Sequence, residues 1–306
     1  VNGQMPTPYY DANDGHPSFL LLNDGTGVFT DATASAGLAA KRYRRTYSNS
    51  LVDMDDDGDL DLLVVSDFAG IDVYYNDGQG HFTDLTESAV DERANFGMSH
   101  AFGDFNLDGQ SDFYVVGMSS TTARRLETLG LGREAFPEHQ QMRMRMAYGN
   151  RMYVRDGDST YKQPAFGQQV ARSGWSWGSS AFDFDNDGDV DIYVGNGHLS
   201  GNSVKDYCSL FWRHDIYPDT RREAPNLAES FVESVIHQPG QRISWNGFEH
   251  NHLFVNDAGR RFANGAFLMG AAFEFDARSV VSGDIDDDGI RLLCNLNSNF
   301  PTFWVL

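Results

Sequence analysis

The sequence predicts an all-β fold, a β-propeller of four-stranded blades with two partly helical insertions. Three observations predict it. An Asp-rich loop occurs four times, a turn phrase occurs four times, and the two alternate at a nearly constant spacing. Self-similarity at a fixed period marks a repeat architecture, and units of about 50 residues built of short strands point to propeller blades.

The Asp loops are Asp53-Met-Asp-Asp-Asp-Gly-Asp-Leu-Asp61, Asp104-Phe-Asn-Leu-Asp-Gly-Gln-Ser-Asp112, Asp183-Phe-Asp-Asn-Asp-Gly-Asp-Val-Asp191 and Asp284-Ile-Asp-Asp-Asp-Gly289. The turn phrases begin at Asn23, Asn76, Arg155 and Asn256, and each ends six residues later on Phe or Tyr. From a turn phrase to the next Asp loop the offsets are 30, 28, 28 and 28 residues. From an Asp loop to the next turn phrase they are 23, 51 and 73 residues. All length variation therefore sits in one connection of the unit. Insertions of 28 and 50 residues, at about 118–150 and 198–250, are expected to emerge at equivalent places on one face.

The flanks read as strands. Leu62-Leu-Val-Val65, Phe113-Tyr-Val-Val116 and Ile192-Tyr-Val194 follow the first three loops, and β-branched and aromatic residues favour strands. Asn-Asp-Gly is a hairpin signal, because these residues tolerate positive φ. Residues 1–306 read as one propeller domain or part of one, with four to five blade units visible. The pattern begins and ends within a unit. Either the termini complete a shared blade or the chain is a piece of a longer protein.

In the insertions, Gln140-Gln-Met-Arg-Met-Arg-Met146 fits a strand with one apolar face or a helix packed on the ring with Leu126, Leu129 and Leu131. Pro225 before Asn226–Ile236 suggests a second insertion helix, since Pro suits the first helical turn. Cys208 and Cys294 form one disulfide or none.

The Asp loops have the chemistry of a hard-cation site. Calcium takes six to eight oxygens at about 2.4 Å. Asp or Asn at positions 1, 3 and 5 places short oxygen-bearing side chains inside a tight loop, and Gly at position 6 permits the turn. Candidate ligands are Asp53, Asp55, Asp57, Asp59 and Asp61; Asp104, Asn106, Asp108, Gln110 and Asp112; Asp183, Asp185, Asp187, Asp189 and Asp191; and Asp284, Asp286 and Asp288. An EF-hand closes on Glu at position 12 between helices. Here position 12 is Val64, Val115, Val194 or Asn295, and the flanks are strands. Three Ca2+ sites are expected. The fourth loop has Leu292 at position 9 beside Arg291, so weak binding or none is expected there.

Asp plus Glu is 44 and Lys plus Arg is 23, a formal charge of −21. That balance argues against nucleic acid or an anionic membrane surface as partner. No apolar run approaches the ~20 residues that span a bilayer; the most apolar stretch is Gly265–Phe275. Millimolar-range calcium loops fill only outside the cytosol, so an extracellular or periplasmic location is expected.

Ala101-Phe-Gly-Asp-Phe-Asn-Leu-Asp-Gly109 and Ala181-Phe-Asp-Phe-Asp-Asn-Asp-Gly188 resemble the FG-GAP/VCBS repeat family. Within it, Gly174-Trp-Ser-Trp-Gly178, Tyr193-Val-Gly-Asn-Gly-His198 and Asn251-His-Leu-Phe-Val-Asn256 resemble the bacterial relatives of the acidic secreted cartilage protein (ASPIC/UnbV-type). The resemblance implies a propeller, seven-bladed in typical full-length members, with calcium in the Asp loops, and secretion. It also implies adhesion or interaction roles.

Two features invite an enzymatic reading. Gly174-Trp-Ser-Trp-Gly178 matches the nucleophile elbow, but that motif needs a helix after it, and an Asp loop follows instead. His198, His214, His237, His250 and His252 crowd one-sixth of the chain without a diagnostic metal spacing. The leading expectation is a non-catalytic interaction or adhesion module for a protein or glycan partner. The alternatives are a carbohydrate-active enzyme of lyase or dehydratase type, with a polar cleft near His198, His250 and His252, and a structural subunit of an extracellular assembly.

Overall fold

The computed structural model describes residues 8–157, 159–202, 211–216, 244–284, 292–297 and 304–305, the last two stretches and 213–214 by backbone alone. The described chain is mostly β, with several four-stranded antiparallel sheets in a propeller-like array of blade units. A hairpin, β1 (Leu21–Asn23) and β2 (Phe29–Asp31), comes first. The first blade is β3 (Arg45–Val52), β4 (Asp61–Asp67), β5 (Gly70–Asn76) and β6 (Phe82–Asp84), followed by a single turn, α1 (Thr86–Ala89). The second is β7 (Gly97–Gly103), β8 (Asp112–Gly117), β9 (Arg151–Arg155) and β10 (Tyr161–Lys162), with α2 (Thr121–Thr128) and α3 (Pro137–Met146) between β8 and β9. The third is β11 (Ser176–Phe182), β12 (Asp191–Asn196), β13 (His252–Asn256) and β14 (Phe262–Asn264). A three-stranded sheet, β15 (Ala277–Gly283), β16 (Leu292–Asn297) and β17 (Trp304–Val305), comes last.

Strand order within each sheet follows the chain, so each strand pairs antiparallel with the one that follows it. Each of the first three Asp loops joins a first strand to a second; the last three turn phrases each join a third strand to a fourth, and the first joins β1 to β2. Both motifs therefore stand at one end of the blades. The insertions join the second strand to the third and leave from the opposite end. This is the one-face placement that the offsets predict.

Period-2 alternation builds the core between blades. Phe113 and Val115 of β8 face Leu63, Val65, Ile71 and Val73 of the first blade. Tyr114 and Val116, on the other face of β8, meet Ile192, Val194 and Phe254 of the third. All but Phe254, at 3 % exposed, are fully buried, and each such side chain contributes about 1.5–3 kcal/mol. The first strands pack side by side through small polar residues. Ser48 Oγ meets His100 Nδ1 at 2.9 Å, Ser99 meets Ser179 at 3.1 Å and Ser180 meets Ser282 at 2.8 Å.

The first strand of every blade carries a β-bulge seven residues before its Asp loop: at Thr46/Ser48, Gly97/Ser99, Ser176/Gly178 and Ala277/Ser279. A bulge leaves one residue without a cross-strand partner and re-aims its side chain. Those residues are Tyr47, Met98, Trp177 and Arg278. The apparent nucleophile elbow is this bulge. Ser176 is buried, and its Oγ bonds Ser173 Oγ and Asn196 Oδ1.

The Met/Arg stretch is helical, with Pro137 in the first turn of α3. Arg143 and Met146, one turn apart, are fully buried, and Leu126 of α2 packs with Met146. Leu129 and Leu131, expected to pack with them, are 68 % and 46 % exposed. They lie beyond the end of α2, where the chain turns away. Arg143 reaches Asp215 of the 3-10 turn Trp212–Asp215, so a buried ion pair ties the two insertions together. Residues 225–236 and Cys208 lie outside the described residues, as does the Cys294 side chain. Among the described residues no helix is long and apolar enough to cross a membrane.

Candidate metal loops and an axial cavity

The three complete Asp loops share one backbone. Position 4, Asp56, Leu107 or Asn186, has φ near +60°, and Gly58, Gly109 and Gly188 at position 6 have φ of 94°, 83° and 95°. A left-handed residue followed by such a glycine curls the loop inward. Carboxylates at position 1 then cap the turn: Asp53, Asp104 and Asp183 accept from the Gly58, Gly109 and Gly188 amides at 3.1, 2.8 and 3.0 Å.

The loops differ in what they gather. Oxygens of Asp53, Asp55 and Asp61 all lie within 4.8 Å of one another, as do those of Asp183, Asp185 and Asp187. In the second loop Asn106 stands at position 3, and its amide donates to Asp108 at 2.9 Å, so a hydrogen bond joins residues that elsewhere repel. Gln110 is exposed. Asp284 of the fourth loop is exposed, and Asp286 and Asp288 lie outside the described residues.

Several carboxylate oxygens in these loops are orphaned. Asp53 Oδ1, Asp55 Oδ1 and Asp59 Oδ1 of the first loop, and Asp189 Oδ1 of the third, are buried and accept no hydrogen bond among the described residues. A buried anionic oxygen without a partner is costly unless a cation compensates it. Burial, then the charge of Asp57, pushes the Asp55 carboxyl above its ordinary range; burial and Asp187 do the same to Asp185.

Position 9 has a role that spacing alone did not reveal. Asp61, Asp112 and Asp191 are fully buried. One oxygen of each accepts the amide of position 2 in its own loop: Met54, Phe105 and Phe184, at 2.8, 3.0 and 2.7 Å. The other accepts the amide of the first turn-phrase residue: Asn76, Arg155 and Asn256, at 2.9, 2.9 and 2.8 Å. This carboxylate stitches the two motifs together although 15, 43 or 65 residues separate them along the chain. Insertion length is free because the stitch lies at the end away from the insertions. Burial raises all three carboxyls to about 6.

At the insertion end, a cavity of about 200 Å³ is walled by Tyr47, Met98, Trp175, Trp177, His198 and Trp245, with Asp67 on its lining. Burial raises the Asp67 carboxyl to about 7 and lowers the His198 imidazole to about 3. Of the clustered histidines with described side chains, only His198 lines this space. His250 faces Glu274 at 3.3 Å, and His252 meets Asn196 Nδ2 at 3.0 Å.

No curated protein matches the chain. Residues 53–115, from the first Asp loop through most of β8, match the model of an FG-GAP-like repeat, so this propeller-like fold contains a repeat of that kind.

Proposed function

We propose that the protein is a calcium-braced β-propeller that serves outside the cytoplasm as a non-catalytic interaction module, with kinship to the ASPIC/UnbV-type group. The observation that supports calcium is the set of orphaned buried carboxylate oxygens in the first and third loops. The donors are all oxygens on short side chains, which suits a hard ion that tolerates irregular coordination. Asp53, Asp55, Asp57, Asp59 and Asp61 would hold it in the first loop, and Asp183, Asp185, Asp187, Asp189 and Asp191 in the third. The second loop, with Asp104, Asn106, Asp108, Gln110 and Asp112, would hold it more weakly, because its Asn106–Asp108 hydrogen bond must open. Position 9 would act chiefly as the brace between loop and turn. Bound ions would lock one end of the blades, and the insertions at the other end would meet a protein or glycan partner.

Isothermal titration of chelator-stripped protein tests the metal. Calcium is expected to bind with Kd near 10⁻⁴–10⁻³ M, and magnesium far more weakly. No calcium heat, or equal binding of magnesium, removes the proposal. Deleting residues 200–250 is expected to abolish partner capture in a pull-down; unchanged capture counts against the insertion face.

A further inference from the structure

The axial cavity is a built feature of the repeat. Three of the four unpaired bulge residues, Tyr47, Met98 and Trp177, line it. The fourth, Arg278, lies over the Trp177 ring at 4.3 Å. One irregularity repeated in each blade thus delivers four different side chains to one place, and bulges that re-aim side chains are concentrated beside functional sites. The second insertion adds His198 and Trp245 to the same wall.

The residues that line the cavity carry a mixed polar inventory. Trp175 Nε1, Trp177 Nε1 and His198 Nδ1 are buried and make no hydrogen bond among the described residues. Indole N–H groups only donate, and buried donors ordinarily have acceptors. Asp67 supplies the opposite need: among the described residues its Oδ1 accepts the neighbouring Phe68 amide alone, at 3.0 Å. A ligand that fits must accept from the indoles and donate to a carboxylate. An organic cation cannot accept, and a simple anion cannot donate. Hydroxyl groups do both, and aromatic walls suit the C–H faces of a compact ring. The volume admits one such ring, being below the range of drug-sized pockets.

We propose that this cavity binds one neutral pyranose residue of a glycan, held by Trp175, Trp177 and Asp67. The proposal rests on the interaction-module reading and commits its partner to a carbohydrate. It places recognition at the base of the insertions rather than out along them.

The test uses the full chain in millimolar calcium. Methyl glycosides of glucose, galactose, mannose and N-acetylglucosamine are titrated while indole fluorescence is followed. Tetramethylammonium chloride is the cationic probe. At least one glycoside is expected to give a saturable change, weakened tenfold or more in Trp177→Phe, which keeps a ring but loses the N–H, and in Asp67→Asn. Both variants are expected to keep the wild-type calcium-dependent rise in melting temperature, which confirms that they are folded. No saturable response to any glycoside overturns the proposal. So does a response to tetramethylammonium alone, or unaltered glycoside affinity in both variants. Loss of the calcium-dependent rise in the wild type would instead refute the metal reading and leave the glycoside result standing.

Discussion

Asp55→Asn should stabilise the protein in chelator and lose most of that advantage in calcium. Asp55 shares the first loop with Asp53 and Asp61, their oxygens within 4.8 Å of one another. Two unit charges at that distance repel by roughly 1 kcal/mol in water and roughly 3.5 kcal/mol at an effective dielectric of 20. The site is partly exposed, so the lower figure applies, and two neighbours give about 1–2 kcal/mol in total. In chelator the substitution removes that repulsion, and the variant should be more stable than wild type by this amount. In millimolar calcium the same substitution removes a ligand and forfeits about 1 kcal/mol of ion binding. The variant's advantage should therefore shrink in calcium by about that 1 kcal/mol, towards zero. Urea unfolding in EGTA and in calcium measures both. A stabilisation of the same size in the two buffers would refute the reasoning, because it would mean that the carboxylate repels its neighbours but holds no ion.

Other outcomes follow from single residues. Asp72 is 1 % exposed and faces Lys41, Arg44 and Arg93 at 2.6, 3.1 and 3.3 Å; Asp72→Ala should cost about 3 kcal/mol in urea unfolding, the low end for a broken buried pair, since each cation keeps a second carboxylate. Gly259 has φ +69°, and an added Cβ would stand 2.5 Å from the Asn106 carbonyl of the preceding blade; Gly259→Ala should cost about 2 kcal/mol, and an unchanged midpoint would contradict that packing. Burial lowers the His100 imidazole to about 4, so its NMR titration midpoint should fall near there. A base depressed in the folded state favours the fold above its unfolded value of about 6.5, and this contribution should be lost as pH falls from there towards 4; a midpoint near 6.5 would contradict its burial between Ser48 and Ser50.

The blade unit was legible because its key positions are dictated by backbone conformation. Gly58, Gly109 and Gly188 must take positive φ, and Asn76 and Asp77 fold the hairpin through their own side chains. Such local demands select residue types, and the chain records them at a fixed phase. The position-9 carboxylates are candidate ligands by spacing, but spacing does not show that the oxygens of each also hold two backbone amides. The signal was present in the phase between loop and turn phrase, but only the antiparallel sheet brings Asn256 beside Asp191. Leu129 and Leu131 look like packing residues in the sequence because helical periodicity does not tell where α2 stops. The cavity was half visible: His198 and Trp245 stood out in the second insertion, but Tyr47, Asp67 and Met98 come from other blades. Their convergence depends on bulges set by register, which leaves no local mark on composition.

The central claim is that the Asp loops cage calcium and thereby brace one end of the blades. Thermal unfolding in millimolar calcium against chelator tests it most directly. The account predicts a rise of a few degrees with calcium, from roughly 1 kcal/mol at each filled loop, and none with magnesium at the same concentration. Coincident melting curves in calcium and in chelator would contradict it.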